Sequence, residues 1–218
     1  MPFANSLGRG IYYGRCRRGP AILFCHGAGS NAATWWQQLP VFSAHYTRLT
    51  MDIRCFGRSW APLEEFSLEN FVHDLVSLLD QEDIDRVTLV GQSLGGMIGL
   101  KMALNHPQRV AAFVACDSPL GIRHPVVLDI LAERQLSQQA TAIEQRGLGR
   151  WFLASHPDKV ALYAQINHFN PSAYAISPEP WGATLSALMA SDRLMPMGAL
   201  RLLACPTLVL VGRIPSCR

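Results

Sequence analysis

Residues 87–100 read VTLVGQSLGGMIGL, and small residues crowd a single turn within them. An apolar run, Val87 to Val90, meets Gly91-Gln92-Ser93-Leu94-Gly95, a G-x-S-x-G pattern, and a helical pattern follows. A strand that feeds a helix through so short a turn presses the residues two before and two after the serine against the neighbouring strand and helix. Both must be small. The same turn strains the serine backbone. It also sets Ser93 at a helix N-terminus, where free N–H groups and the helix dipole favour negative charge. The competing reading is a glycine-rich helix start packed closely on a sheet. The strand before and the helix after favour an exposed, candidate nucleophilic serine.

The rest of the chain supplies the sheet such a turn requires. Ala21 to Cys25, Tyr46 to Ile53, Arg86 to Val90, Val110 to Cys116 and Thr207 to Val211 are short runs, largely apolar without alternation. That pattern predicts parallel strands covered on both faces. The residues before Gly19 predict one or two antiparallel edge strands. Ser67 is a good N-cap, and Leu68, Phe71, Val72, Leu75, Leu78 and Leu79 follow at helical spacing. A further helix runs from Leu94 to Leu104 and ends at Asn105-His106-Pro107. The expected fold class is α/β: a mostly parallel sheet, helices on both faces, right-handed crossovers. The rhythm breaks between Pro119 and about Ala204. There the patterns are helical (Val126 to Gln135, Ala140 to Leu153, Asp158 to Asn167) and no strand stands out. The expectation is a core of residues 1–118 and 204–218 with a helical cap insertion, 119–203, over the sheet edge.

Composition narrows the function classes. Hydrophobic residues make up 49% of 218 and charged residues 16%, which favours a large core over disorder. A net charge of +3 is too slight to indicate nucleic acid. The one basic cluster, Arg15-Cys16-Arg17-Arg18, reads as a solvated turn before it reads as a phosphate site. The six cysteines form no C-x-x-C pair, and no Cys/His spacing suggests zinc. No metal or cofactor is expected. The first residues lack a secretory apolar region, and no segment has the length of a membrane span. The expected setting is a reduced cytoplasm, with no membrane or nucleic-acid partner.

Two further motifs sit at strand ends. His26-Gly27-Ala28-Gly29 follows the strand Ala21 to Cys25. A glycine-rich turn there aims backbone N–H groups at the crevice that Ser93 faces. An oxyanion needs two such donors, and the expected pair is Ala28 N–H and Leu94 N–H. His26 could be a base, but bonding the loop that shapes this hole is its expected role. Asp52-Ile53-Arg54-Cys55-Phe56-Gly57-Arg58-Ser59 reads as a structural turn, with Asp52 and Arg54 bonding neighbouring loops. No G-x-G-x-x-G follows the first strand, so a dinucleotide-binding reading fails.

On these residues the chain resembles the α/β-hydrolase fold superfamily. Trp36 with Pro40, His106-Pro-Gln-Arg-Val110 and Cys205-Pro-Thr-Leu-Val-Leu-Val-Gly212 extend the likeness from about residue 10 to residue 212. It is nearest to small members such as enol-lactone hydrolases and carboxylesterases. Relatives usually carry glycine where this chain has Cys55. The resemblance implies Ser93 as nucleophile, Ala28 and Leu94 as oxyanion donors, and a small acyl or lactone substrate. It points away from dehalogenases and epoxide hydrolases, which use an aspartate at the elbow. It also implies an acid soon after Val211-Gly212 and a histidine after one further strand.

That half of the site is not found in these residues. After Gly212 the sequence reads Arg213-Ile-Pro-Ser-Cys-Arg218, with no acid, and no histidine lies beyond His168. The expectation is a chain lacking the last strand and helix, through truncation or a disrupted frame. Asp117, at the end of a strand, is the alternative acid. His124, His156 and His168 belong to the insertion and are the alternative bases, although a surface role is the blander reading of each. Trp151, Phe152, Tyr163, Phe169, Tyr174 and Trp181 could line an apolar pocket or only hold the insertion on the core. Two functions follow: a serine hydrolase acting on an ester, thioester or lactone carbonyl, or a very weak or non-catalytic homologue. Neither the specific substrate nor the oligomeric state is legible.

Overall fold

The computed structural model describes residues 2–129, 145, 147–168, 183, 184, 186–190 and 193–212. Seven strands form one sheet in the order β1-β2-β4-β3-β5-β6-β9. They are β1 Phe3–Ser6, β2 Arg9–Cys16, β3 Ala21–Cys25, β4 Thr47–Met51, β5 Val87–Gln92, β6 Val110–Cys116 and β9 Thr207–Leu210. Strands β1 and β2 are antiparallel, as the residues before Gly19 predict, and β2 joins β4 antiparallel. The pairs β3/β4, β3/β5, β5/β6 and β6/β9 are all parallel.

Helices cover both faces. Helix α1, Gln38–Ser43, follows a 3-10 turn at Ala32–Trp35; α2 is Leu68–Gln81 and α3 is Leu94–Asn105. Ser67 caps α2 by accepting from Asn70 N at 3.2 Å, and every apolar residue of the predicted stripe is buried. Gly99 lets the Phe113 ring of β6 lie on α3: a Cβ there would stand 2.4 Å from that ring. Most of the core lies on the α2/α3 face, around Leu23, Leu89 and Phe113. The opposite face holds a small cluster in which Ile22, Phe24 and Trp35 pack with Leu39, Phe42 and Val90. Strand register carries that second face from Phe24 to Val90, Val114 and Leu208. Exposure climbs along it, from 1% at Phe24 to 53% at Leu208.

The segment between β6 and β9 contains α4, Arg150–Ser155, and α5, Pro157–His168. The expected helix Asp158 to Asn167 is thus present. The expected helix Ala140 to Leu153 is interrupted at Gly149, where α4 starts; residues 140–144 lie outside the described residues. The stretch is not free of strands. Residues β7 Ile122–Arg123 and β8 Met195–Pro196 form a two-residue parallel pair that ties its beginning to its end. A pair so short leaves no periodicity for sequence to reveal. Among the described residues no helix is long and apolar enough to cross a membrane.

The N-terminal basic cluster is partly neutralised. Glu82, at the end of α2 and 1% exposed, accepts from Arg15 Nη1 at 2.6 Å, Arg17 Nη2 at 2.9 Å and Tyr13 OH.

Candidate active site

The turn from β5 to α3 has the geometry its spacing demands. Ser93 adopts φ 51°, ψ −110°, a region costing a non-glycine residue on the order of 1–3 kcal/mol. Its surroundings hold it there. Ser93 N donates to Cys116 O at 3.0 Å. Ser93 O accepts from Gly96 N at 3.0 Å and from Ser118 Oγ at 2.6 Å. A Cβ at Gly91 would lie 2.2 Å from Gly95 O, and one at Gly95 would lie 2.2 Å from Cys25 O. Backbone meets backbone at both contacts, so neither can yield. Ser93 is half-buried, and its Oγ has no hydrogen-bond partner among the described residues.

The loop after β3 is bonded directly to this turn. Gly95 N donates to His26 O at 3.1 Å. His26 is fully buried and both ring nitrogens are engaged by backbone. Nε2 accepts from Ile53 N at 2.9 Å, so the proton sits on Nδ1, which donates to Gly27 O at 2.7 Å. Burial lowers its pKa below the ordinary value, favouring this neutral form. His26 therefore fastens the loop to the 52–59 turn and has no nitrogen left to act as a base. Ser30 N donates to Gly27 O at 3.2 Å and closes the turn around Ala28. Ala28 N–H and Leu94 N–H have no partner among the described residues, whereas the N–H groups of Ser93 and Gly95 on either side of Leu94 are bonded.

Asp52 is structural in the same way. Its Oδ1 accepts from Ala32 N at 2.7 Å, and its Oδ2 accepts from Arg58 N at 2.8 Å and Arg58 Nε at 2.9 Å. Arg54 is fully buried and grips Asp74 through Nη2 at 2.5 Å and Nε at 3.0 Å, with Glu65 on Nη1 and Ser6 O on Nη2. Cys55 adopts the left-handed backbone that favours glycine, φ 70°. Cys25, beside the elbow, is held as the neutral thiol, since burial pushes its pKa up to about 12.

The alternative acid and bases are spread out. Asp117 follows β6 at φ 43°, one strand from the elbow. Its exposed carboxylate accepts from Gly212 N at 2.7 Å through Oδ1, and its N–H donates to Leu210 O at 2.8 Å. His73 faces Ser6 Oγ, 3.0 Å from Nδ1. His106 lies past the far end of α3, about 18 Å along the axis from the elbow. His124 follows β7. His156, between α4 and α5, stacks against Trp151 and Phe152, whose rings are thereby engaged within the segment. Tyr163 lies in α5, and Phe169, Tyr174 and Trp181 lie outside the described residues. His168 ends α5, the helix that meets the loop after β3: Asn31 Nδ2 donates to Ile166 O at 2.8 Å. Among the described residues no histidine bonds Ser93 Oγ.

Two residues of this neighbourhood escaped the sequence reading. Ser118 grips the elbow carbonyl, and nothing local marks it. Asn31 could have been read as the N-cap of the Ala32–Trp35 turn, which it is; its bond to Ile166 could not.

Comparison with known proteins agrees with this geometry. The family model described as "alpha/beta hydrolase fold" matches residues 20–146. The chain is 26% identical over 194 residues to 3-oxoadipate enol-lactonase 2 of Acinetobacter baylyi, covering 88% of this chain and 70% of that protein. It is 33% identical over 112 residues to bifunctional epoxide hydrolase 2 of Sus scrofa, half of this chain but only 20% of that one. The solved enol-lactonase of Burkholderia xenovorans LB400 superposes with a TM-score of 0.74 at 22% identity, over 97% of this chain and 81% of the other.

Proposed function

The chain belongs to the alpha/beta hydrolase fold family, and from that premise we propose that it is a serine hydrolase of small esters, thioesters or lactones. Ser93 Oγ attacks the carbonyl carbon, its proton passes to a base, and the carbonyl electrons move onto oxygen. Ala28 N–H and Leu94 N–H receive that oxyanion. Collapse expels the leaving group, and water then releases the acyl group from Ser93. One observation supports the reading: Ser93 is half-buried at a helix N-terminus, and Leu94 N–H beside it and Ala28 N–H, in the loop bonded to that turn, have no partner among the described residues. The enol-lactonase relatives favour a lactone or enol ester among these substrates. In this reading residues 1–118 and 204–218 form the core, and 119–203 form a cap over the site. The five described cysteines are all free, which suits a reducing cytosol.

A second reading rests on Ser93 Oγ having no partner among the described residues. A serine with no histidine on it is a poor nucleophile. In a well-studied serine protease, loss of the base costs on the order of 10⁶ in kcat. That would leave a weak or non-catalytic homologue that keeps the pocket. A fluorophosphonate probe separates the two. Stoichiometric labelling within minutes, abolished by Ser93→Ala, is expected of the hydrolase. Folded protein that takes no label sinks it in favour of the second reading.

A further inference from the structure

Asn31 is 4% exposed and has both ends of its amide engaged. Its Oδ1 accepts from Ala33 N at 3.0 Å and caps the Ala32–Trp35 turn. Its Nδ2 reaches across 135 residues of sequence to Ile166 O in α5, at 2.8 Å. On the loop side the connection is short and stiff. Ser30 precedes Asn31 and closes the turn on Gly27 O, and that turn holds Ala28. Ala32 N, on the other flank, is fixed to Asp52 Oδ1 at 2.7 Å.

Helix α5 lies against the Ala32–Trp35 turn. In these two elements Trp35 Nε1 and Asn167 Oδ1 are buried without hydrogen-bond partners among the described residues. Trp35 is 8% exposed and Asn167 6%.

We infer that Asn31 is a positioning residue: it latches α5 to the loop that carries Ala28 N–H, so that α5 and the loop move as one. The part of this that concerns oxyanion binding rests on the serine-hydrolase reading; the mechanical coupling does not. A substrate that seats α5 would thereby set the Ala28 donor, and a loosened α5 would release it.

Amide hydrogen exchange on the whole chain tests the coupling. Asn31→Asp keeps the oxygen that caps Ala33 N but replaces the donor to Ile166 with an oxygen. It is expected to speed exchange by about tenfold in both 26–34 and 157–168 and to leave 68–81 unchanged. Gln165→Gly weakens α5 at an exposed position. In the parent chain it is expected to speed exchange in 26–34 as well. In the Asn31→Asp background it should add nothing there, because the latch is already cut. A 26–34 loop indifferent to Gln165→Gly, or equal effects in both backgrounds, overturns the proposal. If Asn31→Asp does not fold, Asn31→Ser serves in its place, and the response to Gln165→Gly alone still decides. Where the parent chain takes the fluorophosphonate label, Asn31→Asp should slow labelling roughly tenfold, less than outright loss of a donor would. A parent chain that takes no label removes the hydrolase reading and leaves the exchange result to judge the latch.

Discussion

At the crossing of β3 and β5, backbone touches backbone, whereas at β9 apolar side chains meet solvent. Gly91 and Gly95 let the elbow approach within distances no side chain would survive, and Gly95 N ties it to His26 O. Strand β9, Thr-Leu-Val-Leu, is as apolar as the first four residues of β5, Val-Thr-Leu-Val, yet Leu208, Val209 and Leu210 are 53%, 50% and 47% exposed. Each strand is a correct member of one parallel sheet. The difference is in what lies above and beyond it. Hydrophobicity specifies that a segment will be a strand; it does not guarantee a cover. Close packing, by contrast, is written into the residues themselves.

Three measurements would break or sharpen this contrast. The largest effect is expected from Gly95→Ala. Its Cβ would stand 2.2 Å from the Cys25 carbonyl oxygen, and the loss should reach at least about 3 kcal/mol, read as a fall in the urea midpoint. A stability near that of the parent would mean the elbow and β3 can part, and the contrast would dissolve.

The pH dependence gives the next largest effect. His26 is neutral in the fold because burial lowers its pKa. The unfolded chain takes up a proton near pH 6.5 that the native state refuses. The stability in question is therefore present above that pH and falls as the pH drops below it, by up to about 1.4 kcal/mol per unit. His26→Asn should lower stability at pH 8 by about 2 kcal/mol and flatten the decline between pH 7 and 5. Urea titrations at four pH values would show it, and parallel curves for the two proteins would count against a neutral, locked His26.

At β9 the expected change in stability is small. Val209→Lys places a charge on an exposed edge strand without one. It should alter the urea midpoint by less than about 1 kcal/mol and suppress concentration-dependent light scattering. A loss of several kcal/mol would show that this strand is covered in solution.

Much of the site's frame could be read beforehand because it is steric and local. The glycines around Ser93, the HG turn and the Ser67 cap each depend on a few adjacent residues, and each is where the sequence placed it. The left-handed backbone of Cys55 was not read from the sequence. What stayed hidden is non-local. The reach of Asn31 to Ile166, the grip of Ser118 on Ser93 and the β7/β8 pair join residues distant in sequence, with no periodic signal to announce them. That Ala28 N–H and Leu94 N–H lack partners among the described residues belongs to the first kind, since it depends on a turn and a helix start.

Ser118 sets a border for exchange. Its hydroxyl donates to Ser93 O, it accepts from Leu120 N, and it fills the space that a side chain on Gly96 would need. The first three residues after β6 are therefore part of the elbow's own mould rather than of the segment they lead into. A graft that swaps the following helices for those of another protein can begin after Leu120. One that begins at Asp117 would recast the serine's turn along with the segment that follows it, and would confuse an effect of the new helices with damage to the elbow.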